Sequence, residues 1–340
     1  MRSPWRNVPG RAVRRFGAYG CLDYAGSLAY RSLLALFPGL IALVSVLSLF
    51  GQDEDTVLRL LDEAQAVTPE ETWSSVRPVL ENVLTAPAAG LGLAVGLATT
   101  LWTASGYVKT FGRAMNTIYE VEEGRGVVRW NLQMYLLTAS LLVLAALGVL
   151  GLVVSGPVAA WLGAVVGLRE EVLSVWAVLR WFLVPLAIIL VIVLLYRITP
   201  NVRLRPRTWF SPGAVLAIVG AVIASGGLYV YVTWFGRFNA TYGALAGIIV
   251  LMLWAYLVNA VLLFGAVLDS ETERVRQLRE GLPAEESLQV TERYTAAVEK
   301  RDSQLVRDIR QAREVREAVD DTGSGDGTDT PGKVPGDPVP

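Results

Sequence analysis

The chain contains no histidine and a single cysteine, Cys21. These two shortages remove whole classes of chemistry. Zinc sites draw their ligands mainly from Cys and His. A Ser-His-Asp triad and a Cys-His dyad both need an imidazole. A lone cysteine has no partner for a disulfide within the chain. No Gly-x4-Gly-Lys-Ser/Thr phosphate loop occurs either, so energy for transport would come from a partner or a gradient. Lysine and arginine total 30 against 31 acids, a net charge of −1. That balance offers no basic field for nucleic acid. The composition therefore predicts no catalytic residue, no metal, no cofactor and no nucleic-acid partner.

What the 340 residues do contain is apolar length: 53 % are hydrophobic and 18 % charged. A bilayer core about 30 Å thick is crossed by roughly 20 apolar residues of helix. Six runs reach or approach that length: Leu28–Phe50, Ala88–Val108, Leu132–Val154, Leu179–Tyr196, Pro212–Trp234 and Gly243–Leu268. The fourth is short as written, and the sequence lets it begin nearer Val172 and run tilted. The runs are too long and too uniformly apolar for barrel strands. The expected fold is all-α: a polytopic membrane protein with six transmembrane helices in residues 28–268.

Lys and Arg near the span ends set the orientation. Arg2, Arg6, Arg11, Arg14 and Arg15 precede the first span. Lys109, Arg113, Arg125 and Arg129 lie between the second and third. Arg197, Arg203, Arg205 and Arg207 lie between the fourth and fifth, and Arg274, Arg276 and Arg279 follow the sixth. The opposite side carries only Arg59, Arg77, Arg169 and Arg237. Both termini are expected in the cytoplasm, across the cytoplasmic (inner) membrane. Trp102, Trp161, Trp176, Trp181, Trp209 and Trp234 fall near the interfaces, where an amphipathic ring is stable. Arg31 and Arg180 sit about one turn inside their spans, which reads as snorkelling to the headgroups. The twin arginine Arg14-Arg15 and the sequence Ala18-Tyr19-Gly20-Cys21 are not expected to be processing signals, because no apolar core precedes Cys21.

Residues 1–27 read as a cytoplasmic N-terminal segment. The external loop 51–87 predicts two short amphipathic helices. Asp53, Glu54 and Asp55 favour one helix start. Thr68-Pro69-Glu70-Glu71 supplies a capping box for the other. They either cap the bundle or cover a cavity mouth. Residues 269–319 read as a charged helical region on the cytoplasmic side, and 320–340 as a disordered tail with too little apolar content to bury a core.

Gly92 and Gly96, and again Gly243 and Gly247, are four apart and share a helix face, a spacing that lets two helices cross closely in lipid. Asn239 and Tyr242, just before the last span, mark the outer interface, where a polar vestibule is the other reading. Asn259 is the one amide deep in a span, and it must find a partner or line a cavity. Asn259, Tyr242 and Asn239 are therefore the candidate substrate path. No Asp, Glu or Lys lies mid-span, which argues against a proton-driven pump. Glu120, Glu122 and Glu123 read as a solvated loop rather than a metal site.

Four stretches resemble the YihY/BrkB family of inner-membrane proteins: "AYRSLLALFPGLIALVSVL", "LWTASGYVKTFGRAMNTIYEVEE", "LYRITPNVRLRPRTWFSPGAVLA" and "YGALAGIIVLMLWAYLVNAVLLFGAVLDSETER". They carry Asn116 and Tyr119 of an Asn-x-x-Tyr pair, and Tyr196, Pro200 and Asn201 of a Tyr-Arg-x-x-Pro-Asn turn. The resemblance implies six spans with cytoplasmic termini. It implies no settled activity; export and lipid translocation are among the proposals, and a ribonuclease label in the family is generally regarded as mistaken. The family often has glutamate where this chain has Val267, so a mechanism needing that acid is in doubt here. The expected function is a transporter or flippase-like protein for an amphiphilic or lipid substrate. The alternative is a non-catalytic envelope scaffold. Expected partners are membrane lipids, with a second copy or an envelope protein as further partners.

Overall fold

The computed structural model describes residues 7–50, 65, 89–153, 170–203, 211–235 and 244–323. Among these it has eight helices: α1 (Val8–Ala18), α2 (Cys21–Phe50), α3 (Ala89–Ile118), α4 (Val127–Val153), α5 (Glu170–Ile198), α6 (Pro212–Phe235), α7 (Ala244–Arg279) and α8 (Ala296–Gly323). The described residues hold no strand, only an isolated antiparallel bridge between Val202 and Glu292. The external-loop helices expected in 51–87 lie outside the described residues, apart from Gln65.

The helices run past the apolar runs from which they were read. α3 continues from Val108 to Ile118, and α7 from Leu268 to Arg279. A helix need not stop where lipid stops, because amphipathic turns can continue it. α5 starts at Glu170, so the short fourth run does belong to a longer helix. Pro38 and Pro185 lie inside continuous helices. Among the described residues three stretches, Val127–Gly148, Pro212–Thr233 and Gly247–Arg279, are long and apolar enough to cross a membrane, and Phe182–Ile198 is a shorter apolar stretch.

α7 is the centre of the packing. It lies against α6, α2, α1 and α3, while α3 packs on α2 and α4, and α4 on α5. The buried core collects at one end of the bundle. It joins Cys21, Ala25 and Leu28 of α2 to Phe111, Met115 and Ile118 of α3, Leu195 and Tyr196 of α5, and Leu263, Ala266 and Val267 of α7. Phe111 is stacked between Tyr107 and Tyr196 at ring separations of 6.3 and 6.2 Å. Toward the other end, large apolar side chains face outward, among them Val95, Trp102, Phe182, Val222 and Ile223. In lipid such surface needs no cover, and helices are held by close fit and hydrogen bonds.

The closest fit joins α6 to α7. A Cβ on Gly213 would overlap the Gly265 carbonyl oxygen, and one on Gly265 would meet the Gly213 oxygen, the Tyr196 hydroxyl and Ala217. Further along, a Cβ on Gly220 would overlap Val261, and the Trp254 indole donates to Ser225 at 2.9 Å. Asp269 completes the join. Its Oδ1 accepts from the Gly213 N–H at 2.7 Å and its Oδ2 accepts from the Ser211 hydroxyl, while Ser211 Oγ accepts from the Ala214 N–H. Ser at the cap and Pro212 at the first helical position are the usual start of a helix; here a carboxylate from another helix reinforces it.

The close glycine approach described above joins Gly213 and Gly265, which are not among the glycines read from sequence. Gly247 is exposed, with nothing among the described residues within 4 Å of a built Cβ. Gly96 is buried, Gly92 lies on α3 nearby, and Gly243 is outside the described residues. Gly265→Val is expected to lower stability by about 1–3 kcal/mol through overpacking, whereas Gly247→Val should change it little. Thermal unfolding in detergent checks both. Equal midpoints for the two variants would remove the Gly213–Gly265 crossing as a source of packing energy.

Candidate functional site

The end of α3 is closed in an unusual way. The Val121 N–H bonds to the Asn116 carbonyl at 3.0 Å and the Glu120 N–H to Thr117 at 3.2 Å. This is the paired pattern of a helix C-terminus whose next residue is left-handed, a place usually taken by glycine. Here the residue is Glu120, with φ of 57°. At the end of α7 the same pattern carries Gly281, φ 79°. A side chain in that conformation is strained by about 1–3 kcal/mol, and the contacts of the Glu120 carboxylate offset it.

Those contacts come from three other pieces of chain. Glu120 Oε1 accepts from Arg15 Nη1 at 2.8 Å, the Tyr19 hydroxyl at 2.7 Å and Arg274 Nη2 at 2.8 Å. Oε2 accepts from the Leu288 N–H at 2.9 Å. Arg274 also donates to Glu271 and to the Ala284 carbonyl, and Glu271 accepts from Arg11 at 2.7 Å. Glu271 and Arg274 are almost fully buried, so each charge needs its partners. Burial works against the charged form of Glu120. Hydrogen bonds from Tyr19 and Leu288, with the Arg274 and Arg15 guanidinium groups, outweigh it and hold the carboxyl below the usual carboxylate range. Burial and the bond to Glu120 push the Tyr19 phenol up to about 12.

A second junction brings together two of the turns singled out from sequence. Asn116 Oδ1 accepts from the Asn201 N–H at 2.8 Å, and its Nδ2 donates to Glu123. Asn201 Nδ2 donates to the Glu122 and Tyr294 carbonyls, and its Oδ1 accepts from the Tyr294 N–H. Glu123 holds Arg125, which also donates to the Thr199 carbonyl at 2.7 Å and lies 4.3 Å from the Trp130 ring. The segment after α7 is thereby strapped across the helix ends. Gly124 lies so close to Tyr294 that a Cβ would overlap its carbonyl. Pro200 is buried within the turn. Tyr119 is buried, and the Tyr196 hydroxyl donates to the Leu262 carbonyl.

The loop glutamates thus differ from their reading as a solvated run. Only Glu122 is largely exposed; Glu120 and Glu123 are partly buried anchors for arginines. Paired basic residues on one face of α1, Arg11 and Arg15, and the Glu271–Arg274 spacing on α7 were the available signals. Among the described residues no group of three or more His, Cys, Asp or Glu is placed to hold a metal.

Of the candidate path residues, Asn239 and Tyr242 lie outside the described residues. Asn259 is buried and fully engaged: Oδ1 accepts from the Tyr107 hydroxyl at 2.8 Å and Nδ2 donates to the Ala255 carbonyl at 2.8 Å. It ties α7 to α3. Among the described residues a recess lies elsewhere, between α4 and α5. A groove of about 500 Å³ has walls of Leu132, Leu136, Leu137, Leu194 and Ile198 and a polar lip of Arg129, Gln133 and Tyr294. Arg129 stands 4.4 Å from the Tyr294 ring. Behind the lip Arg293 donates to the Val202 and Arg197 carbonyls. Burial, and then the nearby Arg125, pull Arg293 below its ordinary value, with Arg197 and Arg203 adding to the effect. Arg129 on the lip and Arg293 behind it place guanidinium groups where the apolar groove ends.

The profile of a family described as "Virulence factor BrkB" matches residues 12–289. The chain belongs to the BrkB family. It is 32 % identical over 259 residues to a ribonuclease-like protein, YfkH, of Bacillus subtilis (strain 168), covering 76 % of this chain and 92 % of that one. It is 31 % identical to a UPF0761 membrane protein of Alkalilimnicola ehrlichii, over 76 % of this chain and 57 % of the relative. A third relative, a UPF0761 membrane protein of Chromohalobacter salexigens, is 32 % identical over 75 % of this chain and 60 % of its own length. The chain thus spans less than two thirds of these two longer relatives. No solved structure matches. In this BrkB-family chain, Val267 is fully buried in the core and Asp269 caps α6, so the acid two residues on has a structural task of its own.

Two variants test the Glu120 junction. Glu120→Gly relieves the backbone but removes several charge-assisted bonds worth about 1.5–3 kcal/mol each, so it is expected to destabilise by about 2 kcal/mol or more in thermal unfolding. A more stable Glu120→Gly protein would refute the offset. Because its carboxyl is depressed on folding, Glu120 adds stability above its unfolded value, about 4.3, and loses it as pH falls through the folded value. Unfolding midpoints of the wild type should therefore drop more steeply below about pH 4.3 than those of Glu120→Gln.

Proposed function

We propose that this chain is a six-span protein of the cytoplasmic membrane, with both termini in the cytoplasm, that gives passage to an amphiphilic or lipid substrate without covalent chemistry. The observation that carries the proposal is the α4–α5 groove. Its walls match acyl chains, and its end meets a basic corner suited to an anionic headgroup. Membrane character of the family, and three helices long and apolar enough to cross a membrane, support the setting. The loop arginines support the orientation. The tail helix α8 favours a second reading. From residue 299 to 317 it is exposed, and it presents Leu305, Ile309 and Val315 outward, as a scaffold for a partner would. The ribonuclease reading in one relative's name has little support here: the chain has no histidine, and Glu120 and Glu123 are committed to arginines.

Lipid translocation in proteoliposomes tests the first reading. Headgroup-labelled lipid is quenched chemically in the outer leaflet, and wild type is compared with Ser140→Trp, which fills the groove, and Arg129→Glu, which reverses its lip. Protein-dependent loss of the protected pool is expected, slowed about tenfold or more in both variants, equivalent to 1.4 kcal/mol or more of barrier. Folded wild type that moves no lipid would abandon this reading in favour of the scaffold, whose own requirement is a phenotype on removing residues 296–323. Topology is checked separately on a Cys21→Ala background. A membrane-impermeant maleimide added to intact cells should label a cysteine at Ser75 and spare one at Ser303; the reverse pattern would invert the orientation.

A further inference from the structure

Arg31 has a setting unlike that of the arginines at the charged junctions. Arg15, Arg125 and Arg274 are each answered by a carboxylate. Among the described residues no acid is within ion-pair distance of Arg31, and its buried Nε has no hydrogen-bond partner. The side chain lies in the seam between α2 and α3, where its Nη1 is 2.5 Å from the position a Gly106 Cβ would take. Glycine there makes the space that the guanidinium occupies.

The depth of this seam is readable from the neighbouring contacts. Tyr24 and Thr117 share a hydrogen bond across α2 and α3 at 3.2 Å. Arg31 lies roughly 10 Å further along α2, at about 1.5 Å per residue, away from the charged end. Next to Gly106, Tyr107 turns to the other side of α3 and bonds Asn259 of α7. One level of the bundle therefore carries an arginine, a phenol and an amide on three packed helices. On the outer side the surroundings are apolar: Leu34, one turn on from Arg31, and Trp102, one turn before Gly106, are both exposed. A cation in such a place is costly without an anion. An anion that arrives with its own apolar chains fits both the charge and the surface.

We infer that Arg31 binds the phosphate of a membrane lipid lodged in the α2–α3 seam. The inference rests on the lipid reading above and gives it a phosphate contact remote in sequence from the α4–α5 groove. Simple snorkelling makes the opposite forecast, since a snorkelling arginine discriminates little between lipids.

Full-length protein in detergent is titrated with phosphatidylglycerol and with diacylglycerol, which offers acyl chains without phosphate. Wild type is expected to prefer phosphatidylglycerol. Arg31→Gln should lower phosphatidylglycerol affinity about tenfold or more, the loss expected for a charge-assisted hydrogen bond. Arg31→Lys, which keeps the charge should the Gln variant unfold, should retain part of the preference. Gly106→Ala, which crowds Nη1, should weaken it with the arginine intact. An unchanged preference in Arg31→Gln, or none in wild type, overturns the inference. So does displacement by inorganic phosphate at concentrations comparable to the lipid, which would make the ligand a soluble anion. The translocation assay separates the two readings. Wild type that moves lipid while Arg31→Gln binds normally loses the site and keeps transport; wild type that binds through Arg31 yet moves no lipid keeps the site and loses transport.

Discussion

Four pieces of chain meet at the Glu120 carboxylate. It belongs to the turn that ends α3, and it is held by Arg15 and Tyr19 of α1, Arg274 of α7 and the backbone of Leu288 in the strap. Charge taken out of water must be answered locally, and leaving one member unpaired costs about 3–5 kcal/mol. With its backbone left-handed, Glu120 meets Arg15 and Arg274 together, and these contacts offset the strain. The same requirement explains how a short amphipathic helix such as α1 stays docked on α7, and why Glu271 and Arg274 are buried as a pair rather than left at the surface.

The bundle is consequently built under two different physical regimes. At the charged end, cores of Phe111, Met115 and Leu263 and two hydrogen-bonded junctions tie α1, α3, α5, α7 and the strap together. Along the rest of the helices, apolar side chains point outward, and the helices are joined by close backbone approach at Gly213 and Gly265 and by isolated polar bonds such as Trp254 to Ser225. The first regime favours a single arrangement. The second relies on close van der Waals fit and isolated interhelical hydrogen bonds rather than on burial from water. The α4–α5 groove lies at the border between them, with apolar walls and a polar lip of Arg129, Gln133 and Tyr294.

Much of this was legible in the chain. The long apolar runs, the helical class and the basic loops were readable, because run length and charge bias are local quantities, and the Asn116 and Asn201 turns were marked by the family resemblance. Asn259 was recognised as an amide needing a partner, and its partner is Tyr107. Other features were not legible. The Glu120–Glu123 stretch has the composition of a solvated loop, and nothing in its own residues announces that Arg15 and Arg274 converge on it. The approach of Gly213 to Gly265 was not legible, because it pairs one glycine from each of two helices rather than two at a fixed spacing on one.

What the sequence by itself determined is the class: apolar length sets a membrane-spanning helical chain, and without histidine it has no Ser-His-Asp triad or Cys-His dyad. Only the tertiary structure decided which charges are paired, which glycines touch, where a groove forms and that Arg31 stands without an acid. Pairing depends on distances between residues far apart in the chain, such as the 154 positions separating Glu120 from Arg274. A local pattern can require that a buried charge find a partner; the packing of the helices chooses which one.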